Sequence, residues 1–238
     1  MENQVYQRYI NNASQHWWWL SRIDIFESII KKHFHSAKNL KILDYGAGSG
    51  VNINFLSKYG DVTVYEPHVQ TAKYLKKNYN KIRFFKGQKD QSYDLIILAD
   101  VLEHIENPLE SLSILKNIIK KGGIVIITVP AHQYLFTKKD KILNHYRRYN
   151  KAMLTQQIKD LKLNIDFISY YNFFLSFFII PVTLLFKILN LNYINSVESK
   201  PNFIVNELFK KIFSFEKFFI KNKITLPYGV SLISIVNK

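Results

Sequence analysis

The chain has no cysteine, two methionines and three tryptophans among its 238 residues. Without cysteine there is no disulfide framework and no thiolate chemistry, which fits a reducing compartment. Eight glycines and six prolines are few, so a cluster of glycines at one place carries weight. Acidic residues are scarce too: 18 Asp and Glu face 33 Lys and Arg, a formal charge of +15. Such a surplus attracts anions, whether nucleic acid, anionic headgroups or phosphorylated substrates; yet it is spread along the chain, with no dense basic block. The opening MENQVYQRY has no apolar centre, so no signal peptide is expected. The longest apolar stretch, NFFLSFFIIPVTLLFKIL, is broken by Pro181 and Lys187, whereas a bilayer span needs about 20 unbroken apolar residues.

What is present alternates between short apolar runs and helical patterns. KILDYG, DVTVYE, KIRFFKG, YDLIILAD and IVIITVP read as strands, with VNINFLSKY, VQTAKYLKKNY and NPLESLSILKNIIKKGG as the helices between them. Five strands alternating with helices argue for an α/β domain whose parallel sheet is covered on both faces. Later come a helix over 151–161 opened by Asn150, a strand NIDFISYY, two apolar lysine-dotted helical stretches (the second over about 203–221) and a closing strand GVSLISIVNK. Residues 1–40 read as an N-terminal helical cap and 41–238 as the main domain, with an apolar insertion over about 173–225 before the last strand.

The strongest chemical signal is LDYGAGSG followed by VTVYEP. A strand-to-helix turn with Gly46, Gly48 and Gly50 lets a ligand approach the backbone and presents amides at a helix start. Glu66 ends the second strand, where a carboxylate can accept both ribose hydroxyls. A dinucleotide fingerprint counted from Gly46 would need glycine at Val51, and no Lys-Ser or Lys-Thr pair follows the turn, so neither that pattern nor a P-loop is met.

What remains, Asp44 ahead of three alternating glycines, resembles the class I S-adenosylmethionine-dependent methyltransferases. ADVLEHI (99–105), IIKKGG (118–123) and the closing GVSLISIVNK look like later motifs of that family, and HWWW, HYRRYN and the apolar tail resemble a bacterial and archaeal subgroup of it. The resemblance implies a Rossmann-like seven-stranded sheet, mostly parallel with the last strand antiparallel, and S-adenosylmethionine as cofactor. It implies that Asp44, Gly46, Ala47, Gly48 and Gly50 line the methionine and ribose end, that Glu66 with Pro67 holds the ribose, and that Asp100 and Val101 face the cofactor. Gln88 stands where family members often carry an aspartate for the adenine.

Methyl transfer from a sulfonium needs alignment above all, and a hydroxyl acceptor also needs a base. His104 and His145 are the candidates, with Tyr146, Arg147, Arg148 and Tyr149 as acceptor-binding residues in the loop after the fifth strand. Adjacent arginines diverge in extended chain, so one is read as meeting an anionic acceptor and the other a structural carboxylate. No metal is expected.

All three tryptophans are contiguous in HWWWLSR. They fan too widely for one buried stripe, so at least one is expected to pack the N-terminal helix on the sheet domain and another, Trp19, to wall the site, with Arg22 meeting the methionine carboxylate and His16 nearby. The acceptor is read as a small or lipid-linked molecule, with peripheral membrane contact through 173–190 at the inner face of a cytoplasmic protein's membrane and a homodimer left open. The alternatives are an RNA methyltransferase, favoured by charge although no RNA-binding module is recognisable, and a cofactor-binding regulator without turnover.

Overall fold

The structure is a computed structural model describing residues 12–87, 92–190 and 201–238. Gln88 therefore lies outside the described residues. The strands are β1 (Leu40–Tyr45), β2 (Gly60–Tyr65), β3 (Arg83–Phe84), β4 (Tyr93–Ala99), β5 (Ile119–Pro130), β6 (Asn164–Tyr171) and β7 (Ser231–Asn237). They form one sheet in the order β3-β2-β1-β4-β5-β7-β6. β7 lies antiparallel to both β5 and β6, and the other pairings are parallel. This is the expected seven-stranded architecture, with the antiparallel strand one place in from the edge. The central strands are buried on both faces, which is why their sequences run apolar without alternation.

The helices are α1 (Trp17–His33), α2 (Ile53–Leu56), α3 (Val69–Asn78), α4 (Pro108–Ile118), α5 (Lys138–Ile142), α6 (Lys151–Asp160), α7 (Phe173–Ile188), α8 (Phe203–Phe215) and α9 (Lys217–Lys221). Helix α1 buries Arg22, Ile25, Phe26, Ile29 and Ile30 along one stripe, the apolar members joining the core with Ile42, Leu95, Ile97 and Ile126. Arg22 lies on that same stripe at helical spacing, so packing of the isoleucines carries its guanidinium to the sheet.

Several boundaries differ from the sequence reading. Helix α2 is one turn, because Asn52 turns its side chain inward to Asp44 instead of opening a longer helix. The chain after Ile118 enters β5 directly, so residues 119–123 belong to the strand; at Gly123 an added Cβ would sit 2.8 Å from the Asp94 carbonyl, an approach only glycine allows. The stretch expected as one helix over 203–221 breaks at Glu216. Its buried carboxylate accepts hydrogen bonds from the amides of Asn172, Phe173 and Phe174, at 2.6, 2.7 and 3.1 Å, and so caps α7 from another helix.

The three indoles divide among different neighbours. Trp17 is buried edge-to-face against Phe209 and Phe213 of α8, with ring centroids 5.5 and 5.9 Å away. Trp18 packs on Phe213 and on Tyr171 of β6, and Trp19 is half-buried beside the His16 ring. Two of the three tryptophans thus bind the N-terminal helix to α8 rather than to the sheet alone. Asn206 completes the joint, accepting from the Trp17 amide at 2.9 Å and donating to the Gln15 carbonyl.

His16 caps α1 by accepting from the Trp18 amide at 3.2 Å. Burial, and then nearby Lys139, lower its pKa from 6.5 to about 4. An imidazole that folding holds neutral contributes stability above pH 6.5, and that stability is lost as pH falls towards 4. We expect His16→Asn, a cap that does not titrate, to remove up to roughly 3 kcal/mol of that acid loss, read as a flatter dependence of unfolding free energy on pH between 6.5 and 4; parallel curves for the two proteins would refute it.

Candidate functional site

The strand order reverses between β1 and β4, and open α/β sheets take ligands at the carboxyl ends of strands at such a switch. There the glycine turn leaves β1, Glu66 follows β2 and Asp100 follows β4.

Gly46, Gly48 and Gly50 all have positive φ, at 82°, 52° and 79°, a conformation that favours glycine. Their surroundings separate their roles. A Cβ on Gly46 would meet Val101 at 2.5 Å, and one on Gly50 would meet Leu75 and Tyr79 at 2.7 and 2.8 Å, so these two are needed for packing. Gly48 has nothing within 4 Å and faces open space, where a ligand can lie against the backbone. Val101, 9% exposed, presses on the turn, and Ala47 is buried within it. The amides of Gly46 and Ala47 both donate to the Tyr65 carbonyl, at 2.8 and 3.0 Å, which pins the turn to β2.

Glu66 is half-exposed at the rim. Its carboxylate accepts from the Gly48 amide at 2.8 Å and from the His68 amide at 2.9 Å, while Pro67 beside it is exposed. Both oxygens are thus fixed in place and retain lone pairs for hydroxyl donors. Asp44 is fully buried; Asn52 donates to one oxygen at 3.2 Å and the other meets no partner. Burial pushes its pKa up to about 6, against the opposing pull of Asn52 and Arg22. A buried carboxylate with an unsatisfied oxygen is a site a cationic or donor ligand would complete.

Asp100 adopts the left-handed conformation, φ 57°. Its amide bonds Thr128, the Thr128 hydroxyl donates to its carboxylate at 3.0 Å, and the Arg22 guanidinium forms an ion pair with it. Arg22 is therefore held by Asp100 at the carboxyl end of β4, with its Nε unpartnered and buried. Strained backbone outside glycine tends to persist where surrounding structure over-determines it, often at binding sites.

Beyond β4, His104 and His145 come together, their rings edge-to-face at 4.5 Å. Burial and then His145 lower the His104 pKa to about 4, so it is neutral at pH 7. His145 Nδ1 lies 3.0 Å from Asp140 Oδ1. Burial would raise the Asp140 pKa, but His145, both contacts from Arg148 and the Thr137 amide together hold it well below the usual carboxylate range. Glu103, fully buried beside these rings, is pushed well above the ordinary value by burial and by Asp100. Glu103, His104 and His145 each bring a ligand atom within 4.8 Å of the others, a donor set of the kind that holds a divalent cation, where the sequence reading expects no metal.

The acceptor residues sort into three kinds. Tyr146 is 54% exposed, with Arg147 over its ring and Arg147 donating to the Glu106 carbonyl at 2.7 Å; both stand at the surface of the loop. Arg148 is the arginine that meets a structural carboxylate: its guanidinium grips Asp140 through Nε at 2.8 Å and Nη2 at 3.1 Å. Its expected role towards an acceptor is corrected accordingly, since both arms of the fork are engaged. Tyr149 is corrected as well, being fully buried with its hydroxyl donating to the Leu102 carbonyl.

The sequence reading missed Asp140, Glu103, Asn52 and Thr128. Only Asp140 had a local signal, the T-x-x-D spacing of a helix-capping box starting at Thr137. The rest depend on contacts between distant segments.

Comparison with known proteins agrees with this geometry. Residues 14–172 match the family model described as "Methyltransferase domain". Over 117 residues the chain is 31% identical to a ubiquinone biosynthesis O-methyltransferase of Rickettsia bellii, covering 45% of this chain and 49% of that protein. An uncharacterised protein of Methanocaldococcus jannaschii is 28% identical over 163 residues, 62% of this chain and 65% of that one. The chain thus spans about half the length of the curated O-methyltransferases it matches. Among solved structures, an S-adenosylmethionine-dependent methyltransferase of Clostridium acetobutylicum superposes with a TM-score of 0.56 at 12% identity, covering 90% of both chains. The plantazolicin methyltransferase BpumL, solved with S-adenosylhomocysteine, superposes at 0.57 with 14% identity, over 99% of this chain and 85% of that one. These likenesses concern the fold, whereas the family match covers most of the chain, including the glycine turn, Glu66, Asp100 and both histidines: the chain belongs to the methyltransferase domain family.

Proposed function

We propose that the chain transfers the methyl group of S-adenosylmethionine to a hydroxyl of a small or lipid-linked acceptor, with His145 as general base. The observation that carries the reading is the hydrogen bond from His145 Nδ1 to Asp140, beside the Glu103–His104 turn at the carboxyl end of β4. The names of the Rickettsia relatives, O-methyltransferases, support a hydroxyl acceptor. The charge that favours RNA is spread along the chain, with no recognisable RNA-binding module beside it.

The residues fit the cofactor. Glu66, fixed by two amides, suits the ribose diol, open Gly48 admits the sugar and sulfur, and buried Asp44 with Arg22 and Asp100 suits the methionine ammonium and carboxylate. When bound, S-adenosylmethionine supplies an electrophilic methyl on a sulfonium. His145 would take the proton of the acceptor hydroxyl at Nε2, and Asp140 would stabilise the resulting imidazolium while holding the Nδ1 proton on its own side. With 10% of its side chain exposed, His145 is largely shielded from bulk water, which strengthens its bond to Asp140.

His145→Gln is expected to lower turnover on a phenolic acceptor by about 10²–10⁴-fold while S-adenosylhomocysteine affinity by calorimetry stays the same. Undiminished turnover would remove His145 from the role of base, and absence of S-adenosylhomocysteine binding by the unaltered protein would overturn the cofactor.

A further inference from the structure

Apart from Lys187, the exposed residues of helix α7 are apolar: Phe177, Phe178, Pro181, Val182, Leu185 and Ile188, with Leu189 just after its end, fall on one side at helical spacing. A surface helix in water ordinarily puts charge there. Phe177 and Phe178 are 65% and 66% exposed, and Ile188 79%. The stripe continues onto α8 and α9, since the ring of Phe174 lies 5.8 Å from Phe215 and 6.0 Å from Phe219, and Phe215 and Phe218 are themselves exposed. At the far end of α8, Phe203 and Ile204 are 73% and 77% exposed. Side chains of this size gathered on one side of a monomer mark an interaction surface.

Lysine predominates around it: Lys187, Lys210, Lys211, Lys217, Lys221 and Lys223 lie on or just beyond α7, α8 and α9, against Glu207, a Glu216 that is buried in its capping role, and Asp166, which pairs with Lys223 at 2.6 Å. Beside the C-terminal half of α7, a cleft of about 190 Å³ is lined by Lys138, Lys139, Lys141 and Lys187, the last donating to the Tyr134 carbonyl, together with Thr137 and Thr183, and no carboxylate among the described residues lines it. Apolar side chains ringed by lysines, next to a cationic cleft of this kind, match the depth profile of a bilayer surface: acyl chains for the rings, phosphate for the ammonium groups. No helix among the described residues is long and apolar enough to cross a membrane, so contact from one side is the geometry the fold permits. A second copy of the chain is the poorer occupant, because a symmetric contact would set these lysines against themselves in a protein of charge +15.

We infer that the joint face of α7, α8 and α9 docks on a bilayer bearing anionic phospholipids, with headgroup phosphates meeting the lysine cleft between α5 and α7. The inference widens the contact expected at 173–190 to two further helices and a headgroup site, and it does not depend on the identity of the acceptor.

Flotation of the full chain with vesicles of phosphatidylcholine, with and without phosphatidylglycerol, tests it. The unaltered protein should float with the anionic vesicles at low salt and remain behind with the neutral ones. Phe177→Asp with Phe178→Asp, and separately Lys138→Glu with Lys141→Glu, should each weaken anionic-vesicle binding by about 30-fold. All these side chains lie outside the cofactor site, so S-adenosylhomocysteine affinity should be unchanged, which also reports that the variants are folded. Failure to float, equal flotation with neutral vesicles, or undiminished flotation of the phenylalanine variant would overturn the proposal. So would a dimer, seen by ultracentrifugation, that the phenylalanine variant dissolves. Loss of S-adenosylhomocysteine binding with vesicle binding intact would count against the proposed reaction and leave the docking surface standing.

Discussion

Replacing Asp140 by alanine should both unfold the protein more easily and stop its chemistry. Its carboxylate is 1% exposed and accepts from Arg148 at two atoms, bonds His145, and caps α5 through the Thr137 amide at 2.8 Å. Removing it leaves the Arg148 side chain, only 16% exposed, without its counter-charge. Breaking a buried pair from one side costs about 3–5 kcal/mol, which should appear as a lowered urea midpoint with unchanged slope. Asp140→Asn separates stability from chemistry. An amide oxygen at the Oδ2 position still accepts from Arg148 Nη2 and the Thr137 amide, so less of the fold's stability should be lost than in the alanine variant, but the amide group placed at Oδ1 donates towards His145 and so favours the Nδ1-unprotonated tautomer. The proton then sits on Nε2, the atom that must receive one, and turnover should fall by roughly 10²–10⁴-fold. An Asp140→Asn protein with full turnover would show that His145 needs no orienting carboxylate.

Loss of the Glu66 carboxylate should be felt in cofactor affinity. Hydrogen bonds to a charged acceptor are worth about 1.5–3 kcal/mol each, so a Glu66→Ala protein that forfeits those to the ribose should bind S-adenosylhomocysteine about 10²-fold more weakly. The same change frees the Gly48 amide, which Glu66 otherwise holds at 2.8 Å, and loosens the turn where the ligand would lie. The thermal stabilisation that saturating S-adenosylhomocysteine gives the unaltered protein should shrink in proportion. Equal affinity by calorimetry would remove Glu66 from the cofactor site. Gly48→Asp, which sets a carboxylate into the open space beside the turn at a strained φ of 52°, should act in the same direction.

Strand identity was legible because buried parallel strands must be apolar throughout, and YDLIILAD and IVIITVP could be little else. The glycine turn was legible because three positive-φ glycines in five residues leave few alternatives. Helix ends were less so: α2 shrank to one turn because Asn52 is drawn to Asp44, and the break between α8 and α9 exists because Glu216 caps α7. Both are side-chain bonds between segments, and periodicity carries no trace of them. The adjacent arginines show the same limit. Their divergence followed from chain geometry, but which of the two would meet a carboxylate depended on where Asp140 came to rest.

The tryptophan cluster marks the division. That three consecutive indoles cannot share one stripe follows from the 100° turn of a helix and needs no coordinates. That Trp17 and Trp18 meet Phe209 and Phe213, and that Arg22 on the same helix reaches Asp100, could be decided only by folding. By itself the sequence determined the layered α/β sheet, the glycine turn and the acidic residue that follows the second strand, all set by local conformation and by the period of apolar residues. Tertiary structure decided the Asp140–His145–His104 grouping, the buried Glu103 and the apolar face of α7 to α9, because each depends on which distant surfaces exclude water together.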